Sequence, residues 1–344
     1  MKKTVKIVLA VAAVLLVVAG VAGFLAYQRI YSPNVFIKDA KYLYIPRNAG
    51  YAQVKDSLKA NFRIQDEAML DFVASLKGYS SKVKPGRYQI SDGMSNNALI
   101  NMLRSGNQAP VNVTFNNIRT LRQLCSRISR QLDIDSTQLY ELLVNDDFMK
   151  KYGLDGKTSQ AMFIPDTYQF YWNTSEEKFI EKMYSYYQKF WTPERLALSE
   201  KIKMTPLQVS ILASIVQSEQ AAHREEQPTI AGLYINRLRI GMPLQSCPTL
   251  IFALGDFSIK RVTGAMLEYD SPYNTYKNQG LPPSPIGFPE VGALEAVLHY
   301  DHNDYIYMCA KSDFSGYHHF SRTYEEQKHW AAEFQKQLNN KGIH

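Results

Sequence analysis

Residues 205–219 read TPLQVSILASIVQSE. Threonine can cap a helix, proline suits its first position, and glutamine three residues after the threonine completes a capping box. Ile211, Leu212, Ile215 and Val216 recur at three- and four-residue spacing, and Glu219 takes the next place on the stripe. The pattern predicts a helix over 206–222 that carries a carboxylate on its apolar face. Part desolvation and a nearby helix C-terminus both lift a glutamate above its usual pKa of about 4.3. A glutamate protonated near neutral pH suits the general acid of glycoside cleavage. The plainer alternative is a glutamate that ends an apolar stripe and reaches water.

The flanking sequence bears on that choice. LYINRLRIGMPLQSCPTL (233–250) offers Leu233 and Leu238 for packing and Asn236 and Arg237 as a polar pair. Gly241 and Pro243 then force a turn before Leu244-Gln245. SPYNTY (271–276) supplies Tyr273, Asn274, Thr275 and Tyr276, side chains of the kind that bond sugars. The proline-rich GLPPSPIGFPEVGALEA (280–296) reads as an ordered surface loop leading into a last helix over the apolar 293–297 stretch.

A 45% hydrophobic and 21% charged composition is that of a globular chain, and 344 residues suffice for two or three domains. The net charge of +7 suits an anionic polymer or a membrane surface, but no basic run is dense enough to argue for nucleic acid. Tyrosine, at 23, offers flat faces for sugar stacking or simply fills core and sheet. Cys125, Cys247 and Cys309 are too few and too scattered for a disulfide framework or a zinc site. His299-x-x-His302, with Asp301 and Asp304, has metal-like spacing, but no other motif calls for a metal. Cys247 lacks a basic neighbour that would make it a nucleophile. No GxGxxG or P-loop pattern occurs, and no cofactor is expected.

At the N-terminus, Lys2, Lys3 and Lys6 precede an uncharged run from Ile7 to Tyr27. At ~1.5 Å per residue that run crosses a hydrocarbon core of about 30 Å. It is longer than a signal peptide's apolar core of about 7 to 15 residues, so an uncleaved anchor is expected. The lysines hold the N-terminus in the cytoplasm and send the rest outward. Three later segments, 42–61, 88–106 and 113–132, each read as strand, polar turn and helix. Their helix faces are marked by Ala52, Val54 and Leu58, by Ala98, Leu99, Met102 and Leu103, and by Leu121, Leu124 and Ile128. This resembles a LysM-type peptidoglycan-binding module.

The resulting expectation is an α+β protein with a single N-terminal transmembrane helix, a small LysM-like α+β module and a larger α+β catalytic domain. Its expected parts are a cytoplasmic tail (1–6), an anchor (7–27), a tether (28–37), the LysM-like module (38–110), a helical connecting region with an aromatic turn (111–204) and the catalytic domain (205–344).

SIVQSE, INRLRIGMPLQ, the CPT after it, YNTY, GLPP and the final His318-x-Phe320 together resemble the endolytic murein transglycosylase family, of the MltG/YceG type. The resemblance covers nearly the whole chain. By position, Glu219 matches the second glutamate of the family's E-x-E, held to be catalytic, and Gln217 stands at the first. Cys247 stands where the family usually has Asp before Pro-Thr, and Gln327 where it has a histidine.

The resemblance implies a lyase acting on peptidoglycan glycan strands at the inner membrane, with its catalytic domain on the periplasmic, extracytoplasmic side. Protonated Glu219 would donate to the oxygen between N-acetylmuramic acid and N-acetylglucosamine. It would then take the proton of the muramic acid 6-hydroxyl, which closes on C1 to leave a 1,6-anhydro end. Such cuts are expected to end the elongation of nascent strands. Asn236, Gln245, Thr249, Tyr273, Asn274, Tyr276 and His318 are the expected substrate contacts. Arg237 either positions substrate or pairs with a carboxylate. Peptidoglycan synthases (penicillin-binding proteins) are expected partners. The competing readings are a peptidoglycan-binding membrane protein of weakened activity, since Gln217 and Cys247 replace acids, and a water-using glycan hydrolase.

Overall fold

The computed structural model describes residues 2–259 and 261–341. Met1 of the expected tail, Lys260 and residues 342–344 of the expected catalytic domain lie outside the described residues. Two units divide the chain: one holds residues up to 113 with 131–134 and 169–174, the other holds the remainder.

The first unit opens with α1 (Lys2–Tyr31). Within it, Val5–Tyr31 contains an 18-residue window of mean hydropathy 2.9 and no buried residue, so it is long and apolar enough to cross a membrane. Then come β1 (Pro33–Ile37), β2 (Tyr42–Ile45), α2 (Tyr51–Asn61), β3 (Phe62–Ile64), α3 (Glu67–Leu76), β4 (Gly86–Gln89), β5 (Met94–Ser95) and α4 (Asn96–Ser105). The strands form two small sheets, β3-β1-β5 and an antiparallel β2-β4 pair in which Leu43 faces Tyr88. Val35, Leu43, Val54, Leu58, Leu70, Tyr88, Leu99 and Leu103 build one core. Ala52 and Ala98 lie outside it, exposed. The helix α4 instead turns Asn96 and Ile100 inward, and Asn96 Oδ1 accepts a 2.6 Å hydrogen bond from the Asn34 side-chain amide.

β6 (Val111–Phe115) and β7 (Asp166–Phe170) each straddle the boundary between the units. Between them run α5 (Leu121–Ser129), α6 (Ser136–Leu143) and α7 (Asp146–Met149). The second unit continues with α8 (Glu176–Phe190), α9 (Pro193–Lys201), α10 (Pro206–Glu219), α11 (Gln227–Arg239), α12 (Cys247–Leu254), α13 (Gly264–Leu267) and α14 (Val291–Leu298). It closes with β8 (Tyr307–Ala310), β9 (His318–Ser321) and α15 (Tyr324–Asn340). The molecule is thus mixed α and β. The helix over 293–297 is not the last, because Thr323 and Glu326 form a second capping box and start α15.

The centre of the second unit is α10. Its capping box forms as the sequence predicts, with Thr205 Oγ1 accepting from the Gln208 N–H and Gln208 Oε1 accepting from the Thr205 N–H. Two expectations change. The helix stops at Glu219, three residues early, because Gln220 leaves helical geometry and its side chain bonds Glu226, the Gly316 carbonyl and the His223 N–H. The apolar stripe is also no stripe. Every residue from Val209 to Val216 is buried, since α11, α12 and α14 all pack on α10. A helix walled on several sides is apolar all round.

A glycine lets α11 sit close to its neighbour. A Cβ on Gly232 would lie 2.3 Å from the Asp301 carbonyl oxygen, so the 301–305 segment lies against bare backbone there.

Candidate active site

Glu219 ends α10 where the enclosing walls open, and it keeps intermediate exposure. Its Oε1 takes two donors, the Tyr234 hydroxyl at 2.8 Å and the Ser246 hydroxyl at 2.5 Å. Its Oε2 accepts no hydrogen bond among the described residues. Crowding by protein raises the carboxyl above its ordinary value of 4.5, and this outweighs the opposing bonds from Ser246 and Tyr234 and the nearby His318 and Arg237. Burial and the Glu219 charge push the Tyr234 phenol well up, which keeps it a neutral donor.

Ser246 is held in turn. It stands at the N-cap position of α12 without a side-chain capping bond, is fully buried, and its N–H donates to Thr275 Oγ1 at 3.0 Å. Thr249 Oγ1 donates to the Ser246 carbonyl and lies 2.8 Å from Thr275 Oγ1. Gln245, just before, is left-handed at φ 51, a conformation that costs a non-glycine residue about 1 kcal/mol or more. Its N–H donates to the Thr275 carbonyl and its side chain is left exposed.

Arg237 neither meets a carboxylate nor stands free. It is buried, and its guanidinium donates to the carbonyls of Ile306 at 2.6 Å, Leu244 at 2.6 Å and Pro243 at 3.3 Å. The alternative of a carboxylate partner is therefore replaced by a clamp on backbone oxygens that hold the 243–246 turn. Asn236 acts similarly, donating to the carbonyls of Asn303 and Tyr305 beside Gly232. Asn274, also buried, donates to the carbonyls of Leu267 and Tyr269 and accepts from the Tyr276 N–H. Tyr273 shares a 2.6 Å hydroxyl contact with Ser284 of the proline-rich loop.

Tyr276 lies 3.0 Å from Cys247 Sγ, and the pKa of each is raised first by burial and then by neighbours that include Glu219. Cys247 is open to solvent, yet its thiol stays protonated and is no ready nucleophile. All three cysteines are free.

His318 joins the site through a partner the motifs do not mark. Its ring Nδ1 lies 2.9 Å from Glu226 Oε2, and its N–H donates to Glu226 Oε1 at 3.0 Å. Burial lifts the Glu226 carboxyl, but those bonds and one from Gln220 hold it below its usual range. A charged Glu226 fixes the His318 tautomer with a proton on Nδ1. Gln327 donates to the Met308 carbonyl.

Gln217 needs to be an amide. Its Nε2 donates to the Phe288 carbonyl at 3.2 Å and its Oε1 accepts from the Glu290 N–H at 2.7 Å. It thereby pins the proline-rich loop, together with Ser214, which accepts from the Ile286 N–H. A carboxylate accepts but does not donate. Gln217→Glu is therefore expected to lose about 1 kcal/mol of stability near neutral pH. The loss should shrink in acid as the new carboxyl protonates and donates again. Denaturant midpoints at pH 7 and pH 4 check this, and an unchanged midpoint at pH 7 refutes the pinning role.

A profile of the YceG-like family matches residues 43–333. A protein of Bacillus subtilis named endolytic murein transglycosylase is 30% identical over 285 residues, covering 78% of each chain. A Streptococcus pneumoniae protein of the same name is 27% identical over 335 residues, and the match spans 86% of this chain but 60% of the relative. A solved structure of a yceG-like protein from Listeria monocytogenes superposes with a TM-score of 0.55 at 25% identity, covering 84% of this chain and 97% of that one.

Proposed function

The chain belongs to the YceG-like family, and from that premise we propose that it is an endolytic lytic transglycosylase of peptidoglycan, a lyase, with Glu219 as its single acid and base. One observation carries this reading. Both protein donors bind Glu219 Oε1, which leaves Oε2 as the oxygen that carries a proton toward a ligand. Raised by burial, the carboxyl keeps that proton at higher pH than an ordinary glutamate does.

The steps follow from that atom. Oε2–H donates to the glycosidic oxygen between N-acetylmuramic acid and N-acetylglucosamine as the C1–O bond breaks. The leaving sugar departs as an alcohol. The ionised Oε2 then accepts the proton of the muramic acid 6-hydroxyl while that oxygen bonds to C1. The acid is regenerated, no water is consumed, and the product ends in 1,6-anhydro-N-acetylmuramic acid. During the charged interval, Tyr234, Ser246 and the nearby Arg237 and His318 stabilise the carboxylate. A second catalytic carboxylate is unnecessary where the substrate supplies its own nucleophile, and Glu226 is engaged by His318 and Gln220.

Of the expected contact set, Gln245, Tyr276, His318, Asn236 and Tyr273 keep solvent-facing surface. Asn236 and Tyr273 spend their polar atoms on Asn303, Tyr305 and Ser284, so Gln245, Tyr276 and His318 are the contacts assigned to sugar. Thr249, Asn274, Asn236 and Arg237 act by holding them in place. Tyr273 does so by holding the proline-rich loop. α1 anchors the chain in the cytoplasmic membrane with the lysine-bearing end inside. Residues 28–37, which end α1 and form β1, link the anchor to 38–110, which hold glycan as a LysM-like module. Residues 205–344 carry the chemistry, set within a compact unit that also takes in most of 114–204. Chain-terminating cuts next to a peptidoglycan synthase are the cellular role.

Mass spectrometry of purified glycan strands after digestion tests the proposal. Anhydro-ended fragments are expected. Reducing ends would mean that water is the nucleophile, and binding without cleavage would leave only an adhesive role. The pH dependence has a definite sign. The active form is protonated Glu219, so kcat/KM falls as pH rises through a pKa above 4.5. A rate that climbs steadily over that interval contradicts the assignment.

A further inference from the structure

Between Thr114 and Arg130 the chain carries four arginines and no Asp or Glu. In the second unit, three of them, Arg122, Arg127 and Arg130, line a cleft of about 430 Å³ together with Asn117, Gln123 and Ser126. None of the lining residues is acidic. The Arg122 guanidinium lies 4.0 Å from the Tyr140 ring centroid, which holds it in one orientation. Asn117 also lines a second cleft of about 110 Å³ with Gln217, Ala221, Arg224 and Glu290, and there Arg224 pairs with Glu290 at 2.8 Å. The two clefts share Asn117, and the catalytic cycle leaves the basic one unused.

Fixed guanidinium groups match carboxylates, which accept their paired N–H groups bidentately. The glycan strand brings carboxylates of its own. Each muramic acid can carry a short peptide stem, which extends roughly 3.3–3.6 Å per residue away from the sugar. We propose that the Arg122–Arg130 cleft binds the carboxylates of these stems, so that the enzyme selects peptide-bearing over stripped glycan. The inference rests on the transglycosylase reading above.

The test compares the full chain in detergent with its Arg122→Gln/Arg130→Gln double variant on two substrates, glycan strands with stems intact and strands stripped by an amidase. On stem-bearing strands the variant should lose about tenfold in kcat/KM, carried by KM. On stripped strands it should match the wild type, which also reports an intact fold. Equal losses on both substrates, or no loss on either, overturn the proposal. If the wild type cleaves neither substrate, the transglycosylase reading has failed. Calorimetry with a soluble disaccharide-peptide then decides separately. Binding that is about tenfold weaker in the variant supports the stem site, and equal or absent binding sinks it. Inorganic phosphate is the parallel probe: tight, arginine-dependent phosphate binding without stem binding would assign the cleft to phosphate groups instead.

Discussion

Glu219→Gln is expected to cut anhydro-sugar formation by about a thousandfold, within the range of roughly 10² to 10⁴ ascribed to a positioned general acid. The substitution is close to isosteric. The amide oxygen can still accept from Tyr234 and Ser246, and only the proton-bearing edge changes. Folding should therefore survive, and stability gives an independent sign. The folded pKa of Glu219 is raised above its unfolded value, so burying the group costs nothing while it is neutral in both states, below about pH 4. As pH climbs through the folded pKa, the native state carries an increasingly unfavourable charge. Glutamine has no such charge. The variant should melt with the wild type near pH 4 and above it at pH 7. Full activity in the variant, or a Tm difference independent of pH, would show that this carboxyl is neither the acid nor desolvated.

The second large effect belongs to Arg237. Substituting methionine keeps bulk but leaves the carbonyls of Ile306, Leu244 and Pro243 without their donor. At about 1–3 kcal/mol for each of three buried groups left unsatisfied, the loss should total roughly 3–9 kcal/mol. For a unit of this size that corresponds to a fall in Tm on the order of 10 °C. The turn that delivers Ser246 to Glu219 loosens at the same time, and a cation that favours the ionised acid is gone. The alkaline limb of the rate profile should therefore move up in pH. Arg237→Lys preserves charge but not the fork, and should restore the position of that limb without restoring full stability. Equal melting of wild type and Arg237→Met would refute the clamp.

These two residues also mark the boundary of what the linear chain discloses. α10, its capping box and the carboxylate at its end were legible because each depends on neighbours within one or two helical turns. A helix long and apolar enough to cross a membrane was legible for the same reason, as length and hydropathy suffice. The partners of Glu219 were not. Tyr234 comes from another helix and is one of 23 tyrosines, while Ser246 hides between residues that draw more notice. Arg237 was visible as a candidate, but its acceptors are backbone oxygens, which leave no signature in residue type. Glu226 escaped notice because it pairs with His318 across 92 positions. The all-round burial of α10 was misjudged because spacing marks one face, whereas α11, α12 and α14 cover several. α15 went unread although a threonine and a glutamate announce it.

The lopsided wiring of Glu219 has a consequence for choreography. If Oε2 is both acid and base, as proposed, departure of the first alcohol and arrival of the second hydroxyl converge on a single point, because the other oxygen is tied twice to the protein. They cannot share that point, so the severed half-strand must withdraw before the ring of the other can fold its C6 arm inward. Bond scission and ring closure are thus separated by a moment in which the sugar pivots. A substrate tethered on both sides, unable to slide apart, should stall there.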